Sequence, residues 1–212
     1  MSEAADVRVT REAYDDIAER YTSMFQRHLH DNPFERAMLD VFAASVQEDS
    51  DGPVIDIGCG PGRVTGYLQA AALDVSGIDL SPEMIRIARE LHPDLRFEVG
   101  TMERLDVPDA TLAGIVAWYS IIHMPPQRMP TVLAEFARVL RPGGRLLLAF
   151  QASDEPTGIQ DYPHKVAPGY RWAPDTLAAE LDRHGFRVTA RLVRDPRPDE
   201  WTPHACLLCV RQ

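Results

Sequence analysis

The sequence predicts an α/β protein, built on a Rossmann-like, seven-stranded, mostly parallel sheet with helices on both faces. Three observations carry that expectation. The short β-branched run Val54-Ile55-Asp56-Ile57 breaks on Gly58, Gly60 and Gly62, as a buried parallel strand does where the chain turns sharply. A second apolar strand, ending in Asp79, follows one helix later. Strand-length and helix-length apolar segments then keep alternating toward the C-terminus, a pattern that gives parallel strands joined by right-handed crossovers.

Each element has its own signal. Over residues 8–28 Tyr14, Ile17, Ala18, Tyr21 and Phe25 recur at spacings of three and four, and Thr10 offers a capping hydroxyl, so a helix is expected. Pro33 opens a second helix whose apolar face is Phe34, Ala37, Met38, Val41, Phe42 and Val46; it stops before the acidic turn 48–52. Strand 53–57 leads to a helix over 63–71 and strand 74–78 to a helix capped by Ser81 with Pro82 in its first turn. Strands are expected at 95–99, 114–118 and 145–150, the last preceded by a helix over 127–140 and the turn Arg141-Pro142-Gly143-Gly144. Residues 151–173, rich in proline, glycine and aromatics, read as an irregular loop facing a substrate. A helix over 174–184 and strands at 186–194 and 204–210 complete the seven.

At 212 residues, 45% hydrophobic and 25% charged, the chain is long enough for one sizeable core and short for two, so a single domain is expected. With 22 basic against 32 acidic residues the net charge is -10, which opposes a phosphate-rich partner; nucleic acid is not expected. No leader-like segment and no run near the roughly 18 apolar residues of a membrane span is present, so a soluble, cytoplasmic protein with no membrane association is expected. Cys206 and Cys209 have metal-like spacing, but in a strand residues three apart face opposite sides, and no metal is expected. Cys59, inside the glycine loop, reads as a small buried filler.

A glycine-broken strand followed by a strand ending in a carboxylate is how an α/β sheet grips a nucleoside, with Asp79 placed to accept hydrogen bonds from both ribose hydroxyls. Two details turn the reading away from a dinucleotide. The fingerprint for one needs a glycine six positions into the motif for close helix packing, and counting from Gly58 that position holds Arg63. Asp56, two residues before the first glycine, would repel a pyrophosphate at the helix N-terminus but suits a cation.

On these residues the chain resembles the class I S-adenosylmethionine (SAM)-dependent methyltransferases of the small, single-domain, small-molecule type, over about residues 10–212. Asp56, Gly58, Gly60 and Gly62 fall on the family's acidic-then-glycine motif, Asp79 on its ribose acid and Met84 on the apolar residue near the adenine; Arg141 to Gly144 and the strand after it match a late motif. The resemblance implies SAM as cofactor, S-adenosylhomocysteine (SAH) as product, and a last strand inserted antiparallel. It implies a cofactor pocket drawing also on Tyr21, Cys59, Arg63, Leu80, Met102 and Trp118, and on Thr101, where the family usually has an acidic or polar residue that binds the adenine amino group. Thr101 either supplies a hydroxyl or caps a short helix.

Methyl transfer from a sulfonium to an oxygen or nitrogen is an in-line displacement that needs no protein nucleophile, only alignment and exclusion of water. A base is needed when the acceptor arrives protonated. His123, just past the fourth strand at the mouth of the site, is the candidate, with His164 behind it; His28, His30, His92, His184 and His204 read as solvated or structural. Tyr14, Tyr119, His123, Tyr170 and Trp172 are the candidate contacts to a small-molecule acceptor, each with core packing as its alternative. The expected division is a helical lid over 1–48, a SAM-binding core over 53–150, a substrate loop over 151–173 and a C-terminal helix and strand pair over 174–212. A nicotinamide oxidoreductase and a SAM-binding module without catalysis are the competing readings.

Overall fold

Strands that are apolar on both sides must be covered on both sides, and the computed structural model, which describes residues 4–25, 29–48 and 52–212, covers them. Its elements are helices α1 (Ala5–Phe25) and α2 (Pro33–Glu48), strand β1 (Val54–Ile57), α3 (Arg63–Ala70), β2 (Val75–Asp79), α4 (Pro82–Leu91), β3 (Arg96–Val99), β4 (Leu112–Trp118), α5 (Met129–Val139), β5 (Leu140–Gln151), β6 (Ile159–Tyr162), β7 (Gly169–Trp172), α6 (Pro174–Arg183), β8 (Phe186–Arg194) and β9 (His204–Arg211). A single 3-10 turn, Ile121–His123, follows β4.

Seven strands form one sheet in the order β3-β2-β1-β4-β5-β9-β8. β1 lies between β2 and β4, parallel to both, with Val54 opposite Val75 and Ile55 opposite Ile115. β9 enters between β5 and β8 and runs antiparallel to each, as the resemblance implies. All seven residues of β4 are buried. The period of two divides the core into two layers. Ile115, Leu146, Leu148 and Cys209 join Phe136 of α5 and Leu181 of α6 on one face; Val116, Leu147, Ala149 and Cys206 join Phe42 of α2 and Leu68 of α3 on the other. Cys206 and Cys209 therefore lie on opposite faces. Gly114 lets α2 sit close on the sheet, since a Cβ there would fall 2.8 Å from the Phe42 ring.

The structure departs from the sequence reading in three places. Among the described residues α1 begins earlier than expected, at Ala5; the remainder of the predicted 8–28 helix, with His28, lies outside them, as do three residues of the acidic turn. β5 starts at Leu140, before the proline and glycines, because Leu140 already pairs with Leu112 and the register shifts past the turn to Gly114 opposite Arg145. The 151–173 segment is not irregular: β6 and β7 form an antiparallel hairpin with Ile159 opposite Trp172. Two four-residue strands flanked by Pro163 and Pro168 give too short a pattern for periodicity to register. Among the described residues no helix is long and apolar enough to cross a membrane.

Candidate functional site

β1, β2 and β4 end side by side at the carboxyl edge of the sheet, on the side where open α/β sheets bind ligands. The glycine loop after β1 is tied to β2 by the N–H groups of Gly58 and Cys59, which both donate to the Ile78 carbonyl at 2.7 and 3.1 Å. Gly58 has φ +70°, and a Cβ on it would lie 2.2 Å from the Ser120 Cβ, so the loop and the end of β4 touch with no room for a side chain. Gly60, at φ +53°, has the opposite surroundings: no atom within 4 Å of where its Cβ would be. Bare backbone there borders an open cleft.

That cleft, about 870 Å³ and open to solvent, is bounded by both sides of the sheet edge and by α1. Gly58, Gly60, Asp79, Leu80, Met84, Thr101, Met102 and Trp118 line it, together with Tyr14, Tyr21, Tyr119 and His123. A smaller cleft of about 310 Å³ shares Tyr21, Gly58, Gly60 and Trp118 with it and adds Asp56, Cys59 and Arg63. Gly62 lines neither; it caps the start of α3 with φ +82°. Thr101 forms an isolated β-bridge with Arg104, and its hydroxyl accepts from the Glu103 N–H at 3.3 Å within a turn, not at the start of a helix.

Two carboxylates stand at the strand ends. Asp79 accepts from the Gly60 N–H through Oδ2 and from the Ser81 N–H through Oδ1, both at 2.8 Å. Each oxygen keeps a further lone pair for a hydroxyl donor. Burial pushes its pKa up against those two hydrogen bonds. Asp56 is fully buried; Oδ2 accepts from the Thr65 hydroxyl at 2.7 Å, while buried Oδ1 has no hydrogen-bond partner. Burial, opposed by that hydroxyl and with the Asp79 charge adding to it, raises the Asp56 carboxyl to about 7. Arg63 points away from the helix-sheet packing that a glycine would have served: its Nη1 donates to the Phe25 carbonyl at 3.0 Å, at the end of α1. Burial holds Cys59 well above the usual thiol range, as befits a filler and not a nucleophile.

His123 is held from two sides. Its Nδ1 lies 2.8 Å from the Pro168 carbonyl, which can only accept, so Nδ1 carries the proton. Nε2 is then the bare nitrogen, and it accepts from the Tyr14 hydroxyl at 3.0 Å. Burial lowers the His123 pKa and raises that of Tyr14 well above the usual phenol range, so both stay neutral near pH 7. The His164 ring packs edge-on against His123 with centroids 4.9 Å apart, and burial beside His123 and Lys165 takes it down to about 4.

Tyr170 and Trp172 correct the sequence reading: neither lines the cleft. Trp172, 3% exposed, belongs to the core layer beneath β5, and half-buried Tyr170 packs against the same layer, because β7 turns its side chains to the sheet. The hairpin reaches His123 through the Pro168 carbonyl and the His164 ring. The reading also missed Asp6, Val7 and Thr10, which line the cleft from the first turns of α1, and Ser120 and Met124 beyond β4. A signal for the first group existed, since Val7, Thr10, Tyr14 and Tyr21 keep one helical face.

A family model described as a methyltransferase domain matches residues 54–144. The O-methyltransferase cnsE of Penicillium expansum is 30% identical over 202 residues, an alignment covering 84% of this chain and 71% of that one. The chain belongs to the class I SAM-dependent methyltransferases. SAM is its cofactor. Other curated relatives of this methyltransferase are matched over about half of their own length. The fold is that of the 1,6-didemethyltoxoflavin N1-methyltransferase of Burkholderia thailandensis, solved with 1,6-didemethyltoxoflavin and SAH (TM-score 0.79, 22% identity, 100% of this chain and 92% of that one). The magnesium protoporphyrin IX methyltransferase of Synechocystis, solved with SAM, gives a TM-score of 0.75 at 17% identity with both chains fully covered.

The two-sided hold on His123 has a direct spectroscopic consequence. In ¹⁵N NMR of histidine-labelled methyltransferase at pH 7, His123 is expected to show a protonated Nδ1 and a bare, hydrogen-bonded Nε2, with the Nε2 signal moving in Tyr14→Phe. A protonated Nε2 would rule out the arrangement.

Proposed function

We propose that this methyltransferase transfers the methyl group of SAM to an oxygen or nitrogen atom of an uncharged small molecule in the larger cleft, with His123 Nε2 as the base. The observation that carries the cofactor half is the pairing of bare backbone at Gly60 with two carboxylates, half-buried Asp79 and fully buried Asp56, the latter holding an unsatisfied oxygen. A buried acceptor without a donor is costly, about 1–3 kcal/mol or more for a charged group, and an ammonium or sulfonium relieves it. The residues present therefore fit an adenosyl sulfonium. Asp79 would take the ribose hydroxyls, Met84, Leu80 and Met102 the adenine, and Asp56 and Arg63 the charged amino-acid end beside Tyr21, Cys59, Gly58 and Trp118. Bound SAM supplies an electrophilic methyl group for in-line displacement.

The acceptor half rests on the rest of the lining. Asp6 and Asp79 are the charged groups there, and no Lys or Arg is among the described lining residues, which suits an uncharged acceptor. Tyr14, Tyr119 and His123 form its aromatic wall. The Pro168 carbonyl fixes the His123 tautomer, so Nε2 is the basic nitrogen, and an acceptor hydroxyl or N–H that replaces the Tyr14 hydroxyl on it would give up its proton there as methyl transfer proceeds. α1 would serve as the lid and the 151–173 hairpin as the support of the acceptor side, excluding water from the reacting centre.

Calorimetric titration with SAM, SAH and NADH tests the cofactor assignment: the adenosyl ligands are expected to bind in the micromolar range and to lose at least about tenfold in affinity in Asp79→Ala, whereas NADH binding alone would overturn it. The Asp56 carboxyl at about 7 adds a pH signature. A cationic ligand selects the carboxylate, so below pH 7 binding must expel a proton. SAM affinity should be level above about pH 7.5 and fall toward tenfold per unit beneath pH 7, with a proton released at pH 6 that Asp56→Asn abolishes; a flat profile from pH 6 to 8 would refute the role. SAH release in a screen of phenols and heteroaromatic amines tests the acceptor class, and on any acceptor found His123→Ala should slow turnover about 10²-fold or more. Undiminished turnover would remove His123 as base.

A further inference from the structure

We infer that Glu35, which lies outside the cleft, is a positioning residue for the cofactor, acting through the Tyr119 hydroxyl to hold a left-handed turn of main chain against the glycine loop. Tyr119 immediately follows β4 and has φ +54°. The other described non-glycine residues with positive φ, Ala72 and Ala110, are exposed, whereas Tyr119 lines the cleft. The left-handed conformation brings Ser120 under Gly58, where no Cβ would fit. A residue with a side chain leaves that conformation unless its surroundings oppose it.

Here the surroundings are a buried polar network centred on one phenol. The Tyr119 hydroxyl donates to Glu35 Oε1 at 3.1 Å and shares a 2.6 Å hydrogen bond with His204 Nδ1, while its N–H donates to the Ala149 carbonyl at 2.9 Å. Glu35, 1% exposed in the first turn of α2, pairs with Arg194 at 3.2 Å, and Arg194 is bound in turn by Glu200. A buried ion pair is weak evidence for stability in itself, since desolvation offsets much of the attraction. Its placement is what matters. The start of α2, the end of β8 and the start of β9 converge on the ring that fixes the turn, so elements remote from the glycine loop set how far β4 stands from it.

SAH affinity, read by calorimetry well below the melting temperature, tests the inference without requiring an acceptor. Tyr119→Phe removes the hydroxyl alone and is expected to raise the SAH Kd about tenfold, the scale of releasing one left-handed residue. Glu35→Ala should do the same, and the double variant should be no worse than either single one. Glu35→Gln keeps an acceptor for the hydroxyl while removing one of the two counter-charges of Arg194, the other being Glu200; it should melt lower yet bind SAH within about twofold of wild type. Variants that melt lower but bind SAH as wild type does would show a merely structural network and overturn the inference. So would Glu35→Gln binding as weakly as Glu35→Ala. Should Glu35→Ala fail to fold, Tyr119→Phe decides alone. A wild-type protein that does not bind SAH would instead defeat the cofactor-site reading on which the inference rests.

Discussion

The site depends on how closely β1 and β4 approach once they stop pairing. They are neighbours at the centre of the sheet, and the order β3-β2-β1-β4-β5 places successive crossovers on opposite faces at this point. A doubly wound sheet parts there. What closes the gap at its base is the contact between Gly58 and Ser120, where the serine side chain occupies the place of a Gly58 Cβ, and the open space lies outward at Gly60. Asp79, the aromatic wall and α1 are arranged around that floor.

Electrostatics follows from the same geometry. Burial raises the cost of ionising both carboxylates at these adjacent strand ends, and a neighbouring carboxylate adds to it at each, Asp79 at Asp56 and Asp15 at Asp79. A cation beside these carboxylates favours their ionised forms. The acceptor side is the reverse: His123, Tyr14 and His164 are kept neutral by burial, so no fixed positive charge competes for the cofactor's place. One edge of the sheet thus presents a cation-seeking half and a neutral, proton-accepting half within a single cleft.

Much of this was legible in the chain. Val54 to Gly62 and Asp79 announced the turn, the two carboxylates and the cofactor class, because those features are local in sequence and each has a narrow physical reason. Arg63 was read correctly as unfit for close helix packing, and its actual partner, the Phe25 carbonyl, is 38 residues away and beyond any local signal. The same limit explains Tyr170 and Trp172. Aromatic content alone does not say which side of a short hairpin faces a ligand, and here β7 turns its rings into the core. Tyr119 was placed in the site, but its left-handed backbone and its tie to Glu35 arise from contacts 84 residues apart, which no pattern in the segment encodes.

The N-terminal helix is docked in an unusual manner for so central an element. Of its 21 residues only Ala18 is fully buried, against Met84 and Ile87 of α4. Tyr14 and Tyr21 pack against the same cluster, and the polar attachments are Asp15 to the Ser81 hydroxyl, Glu19 to Arg86, Asp6 to Arg128 and Tyr14 to His123. Surface ion pairs weaken with salt, so the part of this attachment carried by Glu19 and Arg86 varies with ionic strength, while the packing of Ala18, Tyr14 and Tyr21 does not. The inner side of the helix, with Tyr14 and Tyr21, belongs to the wall of the cleft, and its outer side is tied by charges that salt screens, so ionic strength bears on that wall from the solvent side.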